Sequence, residues 1–168
     1  PFIVIGNLIW NKGKLFYYQD RVGKNGEVFK IVKFRTMVKN AEQQGAVFAT
    51  TNDSRVTPFG KILRKSRIDE FPQFINILKG EMAVIGPRPE RPIFVKEIAE
   101  RMPFYETRHV IKPGLTGWAQ VNYSYGETIE DSLIKLQYDL YYIKHRSLFL
   151  DFNIIFKTLS TVLFYRGQ

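Results

Sequence analysis

The stretch Arg67-Ile68-Asp69-Glu70-Phe71-Pro72-Gln73 sets two adjacent carboxylates beside a proline. Thr57 and Pro58 are typical of a helix start, and they predict a helix that continues to about Arg67. Pro72 disfavours helical geometry in the preceding residue and suits the first turn of a new helix, which we expect to end near Lys79-Gly80. Asp69 and Glu70 therefore lie in a joint between two helices. Four basic residues precede the acids: Lys61, Arg64, Lys65 and Arg67.

Two adjacent acids near arginines permit two interpretations. Mg²⁺ prefers one or two carboxylates together with phosphate oxygens, and a carboxylate can attack phosphorus when a cation neutralises the electrophile. Acidic residues at a helix start also stabilise the helix dipole without any catalytic role. On these residues alone, both a phosphate-handling site and a capped helix end stay open.

The composition narrows the class of partner. A chain of 168 residues predicts one domain, residues 1–168, and its formal charge of +9 indicates an anionic partner: nucleic acid, acidic lipid or a phosphorylated small molecule. The chain has no cysteine, which excludes disulfides and thiolate metal sites. His109 and His145 lack zinc-type spacing, so we expect both to be structural or surface residues. No Walker loop, dinucleotide fingerprint or G-x-S-x-G motif occurs.

A β-hairpin is predicted near the N-terminus. Gly23-Lys24-Asn25-Gly26 is typical of a tight turn, and it separates strand-like runs at 14–22 and 27–34. The two-residue period of a strand would let Lys33 and Arg35 project together from one face. Such charges can serve a site or simply protect a sheet edge, and the spacing favours neither.

The rest of the chain is predicted to be mainly helical, with loops. The small polar residues 41–52 indicate a mobile loop, and the prolines of Ile85–Pro92 indicate a stiff extended turn that carries Arg88. From Ile129 a helix is predicted with one apolar stripe, which comprises Leu133, Leu136, Leu140 and Ile143. The predicted fold class is α+β: mainly helical, with a short N-terminal β-hairpin, Pro-rich loops and amphipathic membrane-surface helices.

Both ends of the chain are strongly apolar. Residues 2–10 are too few to span a bilayer, and the chain starts without methionine, so we expect an upstream re-entrant or transmembrane segment to be missing. Residues 147–164 carry only Asp151 and Lys157 as charges. Total hydrophobicity favours a buried core helix there, whereas the aromatic residues and Arg166 favour a helix in the membrane interface.

Five segments, in their order along the chain, resemble the bacterial sugar transferase family, the monotopic phosphoglycosyl transferases that begin lipid-linked glycan assembly. The segments are Lys33–Met37, Asp69–Gln73, Gly86–Pro89, Lys112–Val121 and Asp139–Tyr142. The resemblance covers essentially the whole chain, and several long motifs in the same order are highly specific.

The resemblance implies a reaction at the cytoplasmic face of the bacterial inner membrane. Members of the family transfer a sugar-1-phosphate from a UDP-sugar to polyprenyl phosphate, with Mg²⁺ as cofactor. The implied partners are therefore a UDP-sugar, polyprenyl (undecaprenyl) phosphate and an anionic membrane surface. We expect no nucleic acid partner, because no recognition motif is present.

The resemblance also implies roles for individual residues. Asp69 is expected to be the nucleophile and Glu70 its partner in metal binding or proton handling, and both are expected to be metal ligands. Four basic residues are expected to bind or neutralise substrate phosphates: Arg88, Arg64, Lys33 and Arg35.

The sequence departs from the usual family motifs at a few positions, and an alternative function therefore stays open. Phe71 stands where the family more often has leucine, which is an apolar exchange. Glu81 and Ala83 stand where the family more often has an aspartate and a small hydroxyl residue, so the carboxylate is kept and the hydroxyl is lost. The alternative function is a non-catalytic membrane-surface scaffolding domain.

Overall fold

The structure is a computed structural model that describes residues 1–11, 13–42, 45, 53–123 and 128–163. Its α-helices are α1 (Phe2–Trp10), α2 (Pro58–Lys65), α3 (Phe74–Leu78), α4 (Pro92–Arg101), α5 (Trp118–Asn122), α6 (Ile129–His145) and α7 (Leu148–Leu163). Its strands are β1 (Phe16–Val22), β2 (Val28–Phe34), β3 (Ala83–Ile85) and β4 (Gly114–Thr116). Short 3₁₀ helices span Lys24–Gly26, Ile68–Gln73 and Tyr105–Val110. The predicted α+β class with a mainly helical chain is confirmed, whereas most of the predicted loop 41–52 lies outside the described residues.

The predicted hairpin is confirmed. Strands β1 and β2 pair antiparallel, with Tyr17 opposite Lys33 and Val22 opposite Val28. The turn places Asn25 at a φ of 56°, a left-handed conformation that asparagine tolerates better than most residues. Local turn chemistry therefore accounts for this element.

A second sheet was not predicted. Strands β3 and β4 run parallel, and the Gly86 N–H donates to the Thr116 carbonyl at 2.9 Å while the Gly114 N–H donates to the Pro87 carbonyl at 2.9 Å. A Cβ atom on Gly114 would overlap the Gly86 nitrogen, so this close approach requires glycine. Strands of three residues are too short to show a two-residue hydrophobic period, which is why the sequence analysis missed them.

The joint between the two predicted helices is present but differs in detail. The Thr57 hydroxyl caps α2 by accepting from the Gly60 N–H at 3.0 Å. Pro72 does not begin an α-helix, because it lies inside the 3₁₀ helix Ile68–Gln73, and α3 starts only at Phe74. Arg67, at a φ of 57°, reverses the chain before the 3₁₀ helix, so both acids lie on a short, tightly wound segment.

The predicted stripe on α6 is partly wrong. Leu136 is buried, but Leu133 is 45% exposed. The buried face instead includes Ser132, Leu136, Asp139 and Tyr142. The buried face includes Asp139 because this carboxylate pairs with buried Arg108. A prediction based on apolar residues alone does not include a buried aspartate.

The core consists of two clusters of buried side chains. One comprises Val22, Phe94, Val95, Ile98, Met102, Tyr105 and Leu136. The other comprises Tyr142, Leu150 and Ile154, with Ile85 and Trp118 among the residues packed against it. Helix α6 contributes to both clusters and so connects β1 and α4 to α7.

The two terminal helices each present an apolar face. On α1, Phe2 and Leu8 are 87% and 64% exposed, while the opposite face is held by buried Asn7 and Asn11. Helix α7 buries Leu150 and Ile154 but exposes a row of apolar side chains: Leu148, Phe149, Phe152, Phe156 and Leu159. Helix α7 is thus a core helix on one side and exposed on the other. None of the helices in the described part of the chain is both long and apolar enough to cross a membrane.

Asn76 fastens α3 to the hairpin. Its side chain is completely buried, its Oδ1 accepts from the Val32 N–H at 3.1 Å, and its Nδ2 donates to the Lys30 carbonyl at 2.8 Å. The same Nδ2 donates to Glu81 at 2.7 Å, so the carboxylate kept at that position has a structural use. One amide therefore satisfies the free edge of β2 and positions the segment that follows the two acids.

We expect Asn76→Ala to lower the free energy of unfolding by at least about 2 kcal/mol, because it leaves the buried Val32 N–H, the Lys30 carbonyl and the Glu81 carboxylate without this partner. Urea denaturation measures this change. Gln137→Ala, on the exposed side of α6, is the control and should change stability by no more than about 0.5 kcal/mol. Equal midpoints for the two variants would contradict the role assigned to Asn76.

Candidate active site

Three segments of the fold meet at Glu70. Lys33 from β2 and Arg88 from the Pro-rich loop after β3 both contact Oε1 of Glu70, at 2.8 and 2.7 Å. Arg67 lies 3.9 Å from Oε2 on the other side. The carboxylate is buried, so a single anion sits between cations from the hairpin and the loop.

The charge state of Glu70 follows from these contacts. Burial by itself would raise its pKa, but Arg88 and Lys33 outweigh burial and hold the pKa well below the ordinary value. Glu70 therefore stays ionised at neutral pH and is a weak proton acceptor. Burial lowers the pKa of Lys33, and the attraction of Glu70 offsets this effect only in part.

Asp69 is buried beside Glu70 but is surrounded differently. Its Oδ1 has no hydrogen-bond partner among the described residues. Burial and the negative charge of Glu70 raise its pKa to about 6, although Lys33 and Arg64 oppose that rise. An ionised Asp69 thus has an unsolvated, unpaired oxygen, which is the state in which a carboxylate is most reactive toward an electrophile.

Arg88 is held from several directions. Besides Glu70, its guanidinium approaches Oε1 of Gln120 at 3.5 Å, and its main-chain carbonyl accepts from Arg108 at 2.9 Å. Since a guanidinium can only donate, the Gln120 oxygen must face it, and Nε2 of Gln120 points elsewhere. Nε2 of Gln120 and Nε2 of Gln73 are buried without partners among the described residues, so both amides have an unused donor.

The other two predicted site residues lie in different surroundings. Arg64 donates from Nε to the Thr36 hydroxyl at 3.0 Å, and attraction to Asp69 partly offsets the burial that lowers its pKa. Arg35 donates to the Asn11 side chain at 3.1 Å and to the Met37 carbonyl at 3.0 Å. Arg35 thus ties the end of α1 to the hairpin.

The expected joint projection of Lys33 and Arg35 does not occur, because their side chains bond to different partners. Lys33 bonds to Glu70, whereas the bonds of Arg35 go to residues at the end of α1 and next to β2. Strand β2 ends at Phe34, so the two-residue period does not extend to Arg35. The structure therefore brings Lys33, Glu70 and Arg88 together, with Asp69 beside them and Arg64 within electrostatic reach of Asp69.

Arg108 and Asp139 form a buried ion pair that no pattern in the sequence indicates. Arg108 contacts Oδ2 of Asp139 from Nε at 3.0 Å and from Nη2 at 2.7 Å. Asp139 lies in one of the recognised segments, but no local pattern links it to a residue 31 positions earlier. The neighbouring His109 is buried, and burial and Arg108 lower its pKa to about 4, so it is neutral at physiological pH. His145 is exposed, as expected for a surface residue.

The fit of the two acids to a metal can be judged from their oxygens. The described residues hold no group of three or more His, Cys, Asp and Glu side chains that could bind a metal ion. Mg²⁺ does not require such a group, because it accepts one or two carboxylates together with water and substrate phosphates. The unpartnered oxygen of Asp69 is a suitable ligand, and Glu70 has Oε2 available because its two close cations contact Oε1.

Similarity to known proteins shows the family of the chain. The family model for bacterial sugar transferases matches residues 1–165, and the chain therefore belongs to that family. A UDP-N-acetylgalactosamine-undecaprenyl-phosphate N-acetylgalactosaminephosphotransferase from Aeromonas hydrophila is 52% identical over 151 residues, which are 90% of this chain and 36% of the relative.

Two further relatives are described as UDP-glucose:undecaprenyl-phosphate glucose-1-phosphate transferases. The one from Xanthomonas campestris pv. campestris is 42% identical over 164 residues, covering 96% of this chain and 34% of the relative. The one from Escherichia coli (strain K12) is 40% identical over 149 residues, covering 88% of this chain and 32% of the relative. The chain thus spans about a third of the length of these relatives.

The two adjacent acids should respond oppositely to neutralisation. A lowered pKa means that Glu70 stabilises the fold above pH 4.5, and Glu70→Gln leaves Lys33 and Arg88 without their anion. We expect that variant to lose about 3 kcal/mol or more of unfolding free energy at pH 7.5. A raised pKa means that the charge of Asp69 opposes folding as pH rises through 6, so Asp69→Asn should be at least as stable as wild type.

Urea midpoints at pH 7.5 measure both effects. Asp20→Asn, in an exposed pair with Lys30, is the control and should be near neutral. If Asp69→Asn loses as much stability as Glu70→Gln, the opposite pKa shifts assigned to the two carboxylates are wrong.

Proposed function

We propose that the chain transfers a sugar-1-phosphate from a UDP-sugar to undecaprenyl phosphate, through a covalent intermediate on Asp69. The observation that carries this proposal is the unpaired oxygen of buried Asp69, which lies beside a carboxylate whose Oε1 is held by two cations. Relatives at 40–52% identity are named as transferases that use these substrates, which supports it.

The first step would be attack by Asp69 on the phosphorus that carries the sugar. A bond forms between a carboxylate oxygen and phosphorus, the bond to the bridging oxygen breaks, and UMP leaves with that oxygen and its electron pair. Arg88, with Arg64 and Lys33 nearby, would neutralise the phosphates during this step. Such electrostatic positioning is the main contribution a protein makes to phosphoryl transfer.

The second step would return the enzyme to its starting state. A phosphate oxygen of undecaprenyl phosphate attacks the same phosphorus, the bond to Asp69 breaks, and the carboxylate is released. Asp69 and Oε2 of Glu70 would hold Mg²⁺, which supplies positive charge against the substrate phosphates.

The proposed location is the cytoplasmic face of the bacterial inner membrane. The exposed apolar faces of α1 and α7 would lie against the lipid surface, and the formal charge of +9 suits anionic lipids. The same faces also favour a second candidate, a non-catalytic membrane-surface scaffolding domain. That candidate predicts binding to lipid vesicles without turnover.

UMP release from a panel of UDP-sugars tests the nucleophile. Asp69→Asn should release UMP at least roughly 1,000-fold more slowly than wild type, because no other described acid lies in an equivalent environment. Asp20→Asn is the matched control and should keep wild-type rates. Without the lipid acceptor, mass spectrometry should find a phosphosugar adduct on the peptide that contains Asp69.

Unchanged release in Asp69→Asn would overturn the nucleophile assignment. Vesicle binding by wild-type protein that releases no UMP from any UDP-sugar would instead support the scaffolding alternative. The same panel identifies the sugar, which no motif in the sequence distinguishes.

The pH dependence of UMP release should follow the ionisation of Asp69. Because burial and Glu70 raise the pKa of Asp69 to about 6, kcat/KM should be level above that pH and fall about tenfold per unit below it. An ordinary aspartate would keep its charge down to about pH 4. A level profile down to pH 5, in protein that intrinsic fluorescence shows to be folded, would contradict the raised pKa.

A further inference from the structure

Arg88 is anchored at its backbone as well as at its guanidinium. Its carbonyl accepts from Nη2 of Arg108 at 2.9 Å, while its Nη2 donates to Glu70 at 2.7 Å. The loop around it contains Pro87 and Pro89, which have no N–H to donate. The carbonyls of Pro87 and Pro89 accept from the Gly114 N–H and from Arg21, and the hydrogen bond from Arg108 adds a constraint at the carbonyl of Arg88 itself.

Arg108 is itself rigidly held. Its side chain and that of Asp139 are 4% and 2% exposed, and Nε and Nη2 of Arg108 both contact the same carboxylate oxygen. The remaining nitrogen, Nη1, donates to the Tyr105 hydroxyl at 2.8 Å. All three guanidinium nitrogens are engaged, and a planar fork held in this way has one orientation.

The free energy needed to bury Arg108 and Asp139 indicates that this ion pair has a role other than stabilising the fold. Removing two charges from water costs several kcal/mol, and apolar residues of similar volume often stabilise a fold as well or better. Arg108 and Asp139 connect the 3₁₀ helix Tyr105–Val110 and α6 to the loop that carries Arg88 to Glu70. The pair thus lies directly behind a residue of the proposed catalytic site.

We propose that Arg108 and Asp139 are positioning residues for Arg88. They hold the backbone of the Gly86–Pro89 loop so that the Arg88 guanidinium stays beside Glu70 and can receive a substrate phosphate. This inference rests on the proposed function, since phosphate binding by Arg88 belongs to that function. The chain of contacts runs from Asp139 to Arg108, then to the Arg88 carbonyl and the Glu70 carboxylate.

Arg108→Lys tests the proposal with the charge retained. A lysine ammonium can pair with Asp139 but cannot reproduce the planar fork that reaches the Arg88 carbonyl as well. We expect kcat/KM for UMP release to fall roughly 10-fold or more, mainly through a higher KM for the UDP-sugar. Asp139→Asn removes the charge that holds the Arg108 guanidinium, so it should lower kcat/KM and raise KM in the same way.

Tyr142→Phe is the matched control. Tyr142 lies on α6 three residues after Asp139, is 2% exposed, and donates to Asp151 at 2.8 Å. Its hydroxyl has no contact with the loop of Arg88, so this variant should lose stability without a change in KM. An equal rise in KM in Tyr142→Phe would show a general effect of a loosened core and would overturn the proposal.

A spectroscopic measurement separates this proposal from the proposed function. In ¹⁵N-arginine-labelled protein, the Arg88 Nη signals, assigned by Arg88→Lys, should show slow rotation in wild type and faster rotation in Arg108→Lys and Asp139→Asn. Unchanged signals and KM in the folded variants would overturn the positioning role, as would failure of both variants to fold. Wild-type protein with ordered Arg88 signals and no UMP release would instead refute the proposed function alone.

Discussion

The carboxylate of Glu70 is the point on which the rest of the structure depends. It is buried, and burial of an unpaired carboxylate would cost several kcal/mol, so the fold requires its two close cations to be in place. Lys33 comes from the N-terminal hairpin and Arg88 from the loop after β3. Because the Glu70 carboxylate is buried, its own segment cannot satisfy the charge alone, and the hairpin and the loop supply the cations that do.

The contrast between Asp69 and Glu70 arises from this arrangement. Glu70 accepts from both nearby cations, while Asp69, one residue earlier on the same tight 3₁₀ turn, keeps an oxygen without a partner. Their pKa values therefore move in opposite directions, although the two acids are adjacent in the chain. Pairs of titratable groups whose environments separate their pKa values are characteristic of catalytic sites. The positive φ of Arg67 just before the turn is consistent with local strain at such a site.

Two polar side chains, those of Arg35 and Asn76, join elements of the fold to the hairpin. Arg35 fastens α1 to the hairpin through Asn11, and Asn76 fastens α3 to the edge of β2. The contact of Arg35 with Asn11 holds the end of α1 against the hairpin, while the apolar side chains of α1 stay exposed. The loop of Arg88 follows strand β3, which pairs with β4, and Gly86 and Gly114 permit the close approach of these two segments.

The sequence by itself determined the hairpin, the cap at Thr57, the helix joint that carries the two acids, and the family. Each depends on neighbouring residues or on a motif with a fixed order, so a linear pattern can register it. Only the tertiary structure decided the short parallel sheet, the different environments of Asp69 and Glu70, and the pair of Arg108 with Asp139. These features depend on burial and on contacts between residues about 30 positions apart, and neither leaves a periodic signal in the chain.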